Sequence, residues 1–378
     1  MNAKPCNYPR LRVVNNLVDE LVRIIRFPKG SNAEYNDWEI IRVIAYAASE
    51  NMDIENAAQR LRAMGLHSPS PDVVLHRIGE LSETEVVELF QRITEAQLAR
   101  RKVQRLLKKG VDIAIDLHER PTWSKANSPY ICPTGLHEGT KTAYRMVTFE
   151  VVVPGVRLTL AYIPMMSLAN RPKIILELLL NISRHTTINT VLMDRGFFGA
   201  RLLDDLTLSG FTWLMPVPRS ESIKKHLSTI RGLLWWAGDW TIHESGGKRS
   251  ATFTLVVMDT PRKKRQRTDE KRLLLGTNHP VEEKDLLPLA QEYDGRWGIE
   301  TGYRIQENDF EIHTKTRLPS SRLFLWLFQF AMYELWRLTN ILREARDMAK
   351  VPVALDTGEF IRKLETVLGI LKPLRIRT

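Results

Sequence analysis

Three carboxylates in this sequence carry the residue type and setting that metal-dependent chemistry requires. Asp194 closes the aliphatic run of INTVLMDRGFFG (188–199), and Asp116 lies in VDIAIDLHERPTW (111–123), where Val, Ile and Leu alternate with Asp112 and Asp116. A carboxylate ending a buried strand is an expensive choice unless it works, and strand ends are where open α/β sheets site their chemistry. Glu300 follows in YDGRWGIETGYRIQE, a stretch with helical spacing. Three such acids, from two strands and one helix, would hold two divalent cations for in-line phosphoryl transfer. Hard oxygen ligands suit Mg²⁺ or Mn²⁺.

The residues around Glu300 extend this reading. At roughly 100° per residue, Tyr293, Arg296, Glu300, Arg304 and Glu307 share one helix face, so Arg296 and Arg304 are expected to clamp flanking phosphates. The alternative is an amphipathic surface helix with ordinary ion pairs. Glycines at 295, 298 and 302 weaken such a helix and fit a backbone that approaches another surface closely. Nine histidines are scattered without an HExxH pair, and no glycine-rich phosphate loop is present, which argues against a nucleotide triphosphatase. His118, two residues from Asp116, is read as a positioning or structural residue.

The elements that must position these acids follow from periodicity. Residues 1–109 have helical spacing throughout and are expected to form an all-α DNA-binding domain. Within it, IENAAQRLRAMGLHSPSPDVVLHRIGEL reads as helix, turn, helix, with Ser70 as cap, Pro71 at the first helical position and Asp72–Arg77 as the recognition helix. A helical hairpin with a capped second helix is the plainer alternative. The basic run from Arg100 and Arg101 to Lys109 is either a phosphate-binding linker or a solvated face. Residues 110–217 follow a β-β-β-α-β-α-β order, with Pro154-Gly155 as a hairpin turn, which is the order of an RNase H-like core. The fold class is therefore an α/β RNase H-like core, a mixed sheet with flanking helices. Residues 218–284 are expected to form an inserted β-rich subdomain containing the basic run Arg262–Arg267 and Trp235, Trp236 and Trp240, which either stack on bases or fill a small core. Residues 285–378 are the helical end of the core, with the apolar helix Arg322–Arg343 packing on the sheet.

Composition bounds the partners. The chain of 378 residues has 55 Lys and Arg against 44 Asp and Glu, a net charge of +11, which favours an anionic partner. Cys6 and Cys132 alone support neither a disulfide framework nor a cysteine-rich zinc site. No apolar leader is seen at the N-terminus, and the apolar stretch Leu323–Tyr333 is too short to span a bilayer. A reducing, cytoplasmic setting is the expectation.

The order Asp116, Asp194, Glu300, with a β-rich insertion before the glutamate and Tyr293-x2-Arg296-x3-Glu300, resembles the DDE transposases of cut-and-paste insertion sequences that carry a Tyr-Arg-Glu-Lys signature. DLHERPTW, GTKTAYRMVTFE, VLMDRGFFG and YDGRWGIETGYR are similar to archaeal members of that group, and the resemblance covers roughly residues 38–345. It implies an RNase H fold, two metal ions on Asp116, Asp194 and Glu300, and cleavage of double-stranded DNA at inverted repeats followed by joining of the 3′ ends to target DNA. It also implies a homodimer in the synaptic complex. Seven positions after Glu300, where the signature has lysine, stands Glu307. Lys315 or Arg304 is then expected to take over the phosphate contact, alongside Tyr293, Arg296, Arg77 and Arg101 as DNA-binding residues. The alternatives are an RNase H-like nuclease without strand transfer and a catalytically inactive DNA-binding protein derived from a transposase.

Overall fold

The computed structural model describes residues 9–137, 139–152, 158–230, 235–259, 272–344 and 355–371. The Pro154-Gly155 turn, Cys6 and the Arg262–Arg267 run lie outside the described residues. The chain forms two compact units, one of Met1–Gln104, Glu119–Arg145 and Glu300–Thr378, the other of Arg105–His118 and Met146–Ile299.

The first unit is mainly helical. It holds α1 (Pro9–Ile24), α2 (Asp37–Ser49), α3 (Ile54–Ala63), α4 (Pro71–Gly79) and α5 (Glu83–Leu98), together with the C-terminal α12 (Pro319–Glu344) and α13 (Thr357–Val367). Its centre is α12, whose residues 323–328 and 330–333 are all buried. A helix that is apolar all round must be enclosed, and α1, α2, α4 and α5 enclose it. Phe324 meets Phe27 and Phe90, with ring centroids 5.6 and 5.3 Å apart. The apolar faces of the N-terminal helices are thus kept from water by α12. The helix expected to pack on the sheet takes most of its partners from the N-terminal helices instead. Among the described residues no helix is long and apolar enough to cross a membrane.

The local signals around α4 are present. The Ser70 side chain accepts a hydrogen bond from the Val73 N–H, and Pro71 opens the helix. The groove-reading role does not follow. The Arg77 guanidinium is buried and donates to the backbone carbonyls of Pro28 and Tyr35. The side chains that α4 exposes are Asp72, His76 and Glu80, a face without Lys or Arg that phosphates would repel. Arg77, expected to bind DNA, uses its guanidinium to satisfy carbonyls inside the unit.

The second unit carries the sheet. β1 (Val111–Pro121) and β3 (Thr140–Val152) each run on into the first unit, where β2 (Ile131–His137) pairs antiparallel with β3. β4 (Thr159–Pro164) pairs antiparallel with β3 further along. After α7 (Arg171–Ser183), β5 (Ile188–Met193) lies parallel to β1, and after α8 (Ala200–Leu208), β6 (Trp213–Pro216) lies parallel to β5. Strands buried on both faces read as apolar runs, and Val191, Leu192 and Met193 are fully buried. Gly110, at φ +76°, makes the left-handed turn into β1, and a Cβ there would come within 2.6 Å of Asn189 Oδ1.

Residues 218–284, expected as an inserted β-rich subdomain, carry strands that join the main sheet. After α9 (Glu221–Thr229) come β7 (Trp235–His243), β8 (Ser250–Asp259) and β9 (Arg272–Thr277). β9 pairs antiparallel with β6, so the sheet continues as β6-β9-β8-β7 and reaches nine strands. Trp236 and Trp240 gather around His226, with ring centroids 4.4 and 5.3 Å away, as packing residues do. The chain returns through α10 (Leu286–Asp294), a 3-10 turn at Gly295–Trp297 and α11 (Gly298–Asp309).

Two outcomes test this description. Burial, together with the nearby Glu292, pushes the Asp112 carboxyl up to about 6, against hydrogen bonds from Thr190 and Asn189. A folded value above the unfolded one means that stability falls as pH rises from about 4 through 6. Asp112→Asn should stabilise the protein at pH 8 by about 1 kcal/mol, the shift being discounted for solvent screening of a half-buried group, with the difference vanishing near pH 4 in urea unfolding. Arg77→Ala should cost roughly 1–3 kcal/mol, the penalty of stranded buried carbonyls, and leave the affinity for duplex DNA unchanged.

Candidate active site

Asp116 and Asp194 are brought together by strand register. In the parallel β1–β5 pair, Ala114 lies opposite Leu192 and Ile115 opposite Met193. Asp116 and Asp194 are the next residues along each, so they stand side by side where β5 ends, while β1 runs on to Pro121. Asp194 begins the 3-10 turn Arg195–Phe197 without using its side chain as a cap. Its carboxylate makes no hydrogen bond to a described residue, and a Cβ on Gly196 would lie 3.8 Å from its Oδ2. Gly196 thus keeps space beside the acid. Asp116 is more committed: its Oδ1 accepts from the Leu117 N–H at 2.9 Å, and its Oδ2 lies 3.5 Å from Arg296 Nη1.

Arg296 and Tyr293 close one side of this pair. Both are buried, the Arg296 side chain being 5% exposed. Arg296 Nε donates to the Tyr293 hydroxyl at 3.2 Å, and the guanidinium lies 5.6 Å from the centre of that ring. Burial works against the guanidinium's charge, but Tyr293, Asp116 and Asp194 outweigh it and raise its pKa. Burial also raises the Tyr293 phenol; Arg296 opposes that rise, and Asp194 and Asp116 add to it. The local chain makes this possible through Gly295, where a Cβ would meet Val152 Cγ1 at 2.9 Å.

Arg296 and Tyr293, expected to grip DNA phosphates, are buried against Asp116 in the protein free of DNA. An enclosed guanidinium bonded to a phenol and a carboxylate is not a surface clamp; it is the countercharge of Asp116. Arg304 and Lys315, by contrast, are exposed in the first unit, as is Arg101 at the start of α6 (Arg101–Leu107). Glu300 stands in the first turn of α11, in the first unit. His118 is buried near the acids in sequence.

The donor set suits a hard divalent cation: two adjacent carboxylates, one of them not consumed by hydrogen bonds. Among the described residues, however, no group of three or more His, Cys, Asp or Glu side chains is gathered to hold a metal ion. Asp116 and Asp194 stand as a pair within the second unit, and Glu300 belongs to the first. Sequence reasoning also missed a cavity of about 550 Å³ beside the Asp194 turn, lined by Arg171, Phe198, Arg201 and His243. They come from three separate stretches of the chain, around 171, 198–201 and 243.

Residues 169–335 match the family model of the transposase DDE domain. That segment includes Asp194, Tyr293, Arg296 and Glu300 and begins after Asp116. No curated protein matches the chain. Among solved structures, a cryo-EM structure of the piggyBac transposase synaptic complex with hairpin DNA is similar over 98% of this chain and 81% of that chain. The TM-score is 0.56 at 12% sequence identity, which makes the likeness one of fold.

Removing Arg296 should leave Asp116 enclosed without its countercharge. Arg296→Ala is expected to cost about 3 kcal/mol and Arg296→Lys less, read as urea midpoints. The loss should appear in protein free of DNA.

Proposed function

We propose that this chain, whose residues 169–335 are a transposase DDE domain, is a DNA transposase that cuts its element's ends and joins the 3′ ends to target DNA. The observation that carries the reading is the register of β1 and β5, which sets Asp116 beside Asp194 at the end of β5. We read the order β4-β3-β1-β5-β6 as an RNase H-type core. Its first and fourth strands present the two acids, and Glu300 supplies the third ligand from the helical run that begins one turn after Arg296.

Two Mg²⁺ or Mn²⁺ ions held by Asp116, Asp194 and Glu300 would supply an activated water or 3′-hydroxyl and charge compensation at the leaving oxygen. The chain's own residues then have distinct tasks. Arg296 neutralises Asp116 and fixes the direction of its Oδ2, while the Leu117 N–H holds Oδ1. Tyr293 orients Arg296 by accepting its Nε–H. Asp194, unbonded and beside Gly196, is the acid most available to a ligand. Arg304, Lys315 and Arg101 contact backbone phosphates from exposed positions. A homodimer holding paired ends is the working form, in keeping with the synaptic complex named for the structure of similar fold.

The test is a duplex carrying the element's terminal repeat, incubated with the protein and Mg²⁺. Wild type should nick and join it. Asp194→Asn should lower nicking on the order of a thousandfold while duplex binding and melting temperature stay near wild type. Near-normal nicking by Asp194→Asn would remove the assignment, and nicking without joining in wild type would mark a nuclease instead.

A further inference from the structure

Within the first unit, a cleft of about 300 Å³ lies between the end of β1, Tyr144 on β3, the chain after α11 and the start of α12. The features that matter are Trp123, Tyr144, Arg322 and Lys315. Trp123 is 61% exposed, an unusual position for so large an apolar surface. Tyr144 is 3% exposed, with its ring centroid 6.1 Å from that of Trp326. Its hydroxyl oxygen is buried and has no hydrogen-bond partner among the described residues, a costly condition that asks for an explanation. Burial, with Glu83 adding, pushes this phenol up to about 12, so it remains a neutral O–H donor at ordinary pH.

The charges around the cleft differ in availability. Arg120 is engaged, donating at 2.9 Å to both Gln329 Oε1 and Glu311 Oε1. Arg322 gives its Nε–H to the Thr316 carbonyl and has no described carboxylate partner. Lys315 is exposed and likewise has none. The cleft thus offers an aromatic plate, a buried donor without an acceptor, and two cations available to an anion.

A ligand that satisfies all three has a flat ring with an acceptor on its edge and carries negative charge. An inorganic anion would leave Trp123 and the Tyr144 hydroxyl unused. A base within a duplex has both faces stacked and its pairing edge occupied, and a duplex does not enter a cleft at the lower end of the roughly 300–1,000 Å³ range of ligand pockets. We propose that this cleft takes a single unpaired nucleotide of a DNA strand, its base against Trp123 and bonded by the Tyr144 hydroxyl, its phosphate on Arg322 and Lys315. The inference rests on the transposase reading only in preferring a DNA strand to a free nucleotide.

The experiment uses the full chain and a short fluorescein-labelled single strand, compared with the blunt duplex of the same sequence, by anisotropy at fixed ionic strength. Trp123→Ala should weaken single-strand binding about tenfold, the usual scale for losing one base stack, and change duplex binding little; Trp123→Phe should restore most of it. Tyr144→Phe should weaken single-strand binding several-fold, yet hold or raise the melting temperature, because it deletes an unsatisfied buried hydroxyl. Arg322→Gln should reduce the salt slope of single-strand binding by about one. Wild-type single-strand affinity in both Trp123→Ala and Tyr144→Phe would overturn the proposal, as would equal losses for duplex and single strand. Competition by free dAMP or dTMP as effective as by the strand would also overturn it, in favour of a free-nucleotide site. Asp194→Asn should bind the single strand as wild type does. If wild type failed to nick end DNA but kept these cleft effects, the transposase reading would fall and the cleft would stand.

Discussion

The second unit is built around an electrostatic problem. Adjacent strands lie about 4.8 Å apart, and two carboxylates on neighbouring strands at such a spacing repel by roughly 3 kcal/mol at an effective dielectric constant of 20. The register of β1 and β5 imposes that proximity on Asp116 and Asp194. Arg296 meets the need for a countercharge. To bring a buried guanidinium to Asp116 the chain must return against β3, which is why position 295 has no room for a side chain beside Val152. The 3-10 turn at Gly295–Trp297 interrupts the helical run at the same place. Tyr293 then occupies the Arg296 Nε–H, so that the guanidinium does not enter the interior with its donors idle.

Much of this was legible before the structure. β1 shows itself by alternation and β5 by its continuous apolar run. Their adjacency follows from the β-β-β-α-β order, and with it the meeting of Asp116 and Asp194. The glycine at 295 was readable as a close approach, though not its partner. What was not legible are the pairings that depend on distant sequence. Nothing in the composition of β9 says that it will pair with β6 across some sixty residues, so residues 218–284 read as an insertion with its own fold. The enclosure of α12 by the N-terminal helices has the same character. An all-round apolar helix announces that it will be buried, not by what.

Arginine was the other source of error. Arg77 and Arg296 both read as surface cations, because charged side chains are almost never fully buried unless paired. In each case the partner is remote: carbonyls 49 and 42 residues away for Arg77, and a carboxylate on β1 for Arg296. The capping signal at Ser70 and Pro71 is borne out as local structure. Caps set where a helix starts. The exposed residues decide what it meets, and on α4 these are Asp72, His76 and Glu80.

The same reasoning changes what a net charge of +11 means. In the first unit Arg100 pairs with Glu20, Arg120 with Glu311 and Arg145 with Glu119. These cations contribute to the formal total and little to the field that an approaching polyanion meets, since each is neutralised at contact distance. Arg101, Arg304, Lys315 and Arg322 have no such partner among the described residues. A long-range pull on DNA depends on the uncompensated set, and only those cations can exchange counterions with a phosphate chain. Lys315 and Arg322 line one cleft, beside an exposed tryptophan. That placement is better suited to holding one nucleotide in a defined pose than to a diffuse hold on the backbone.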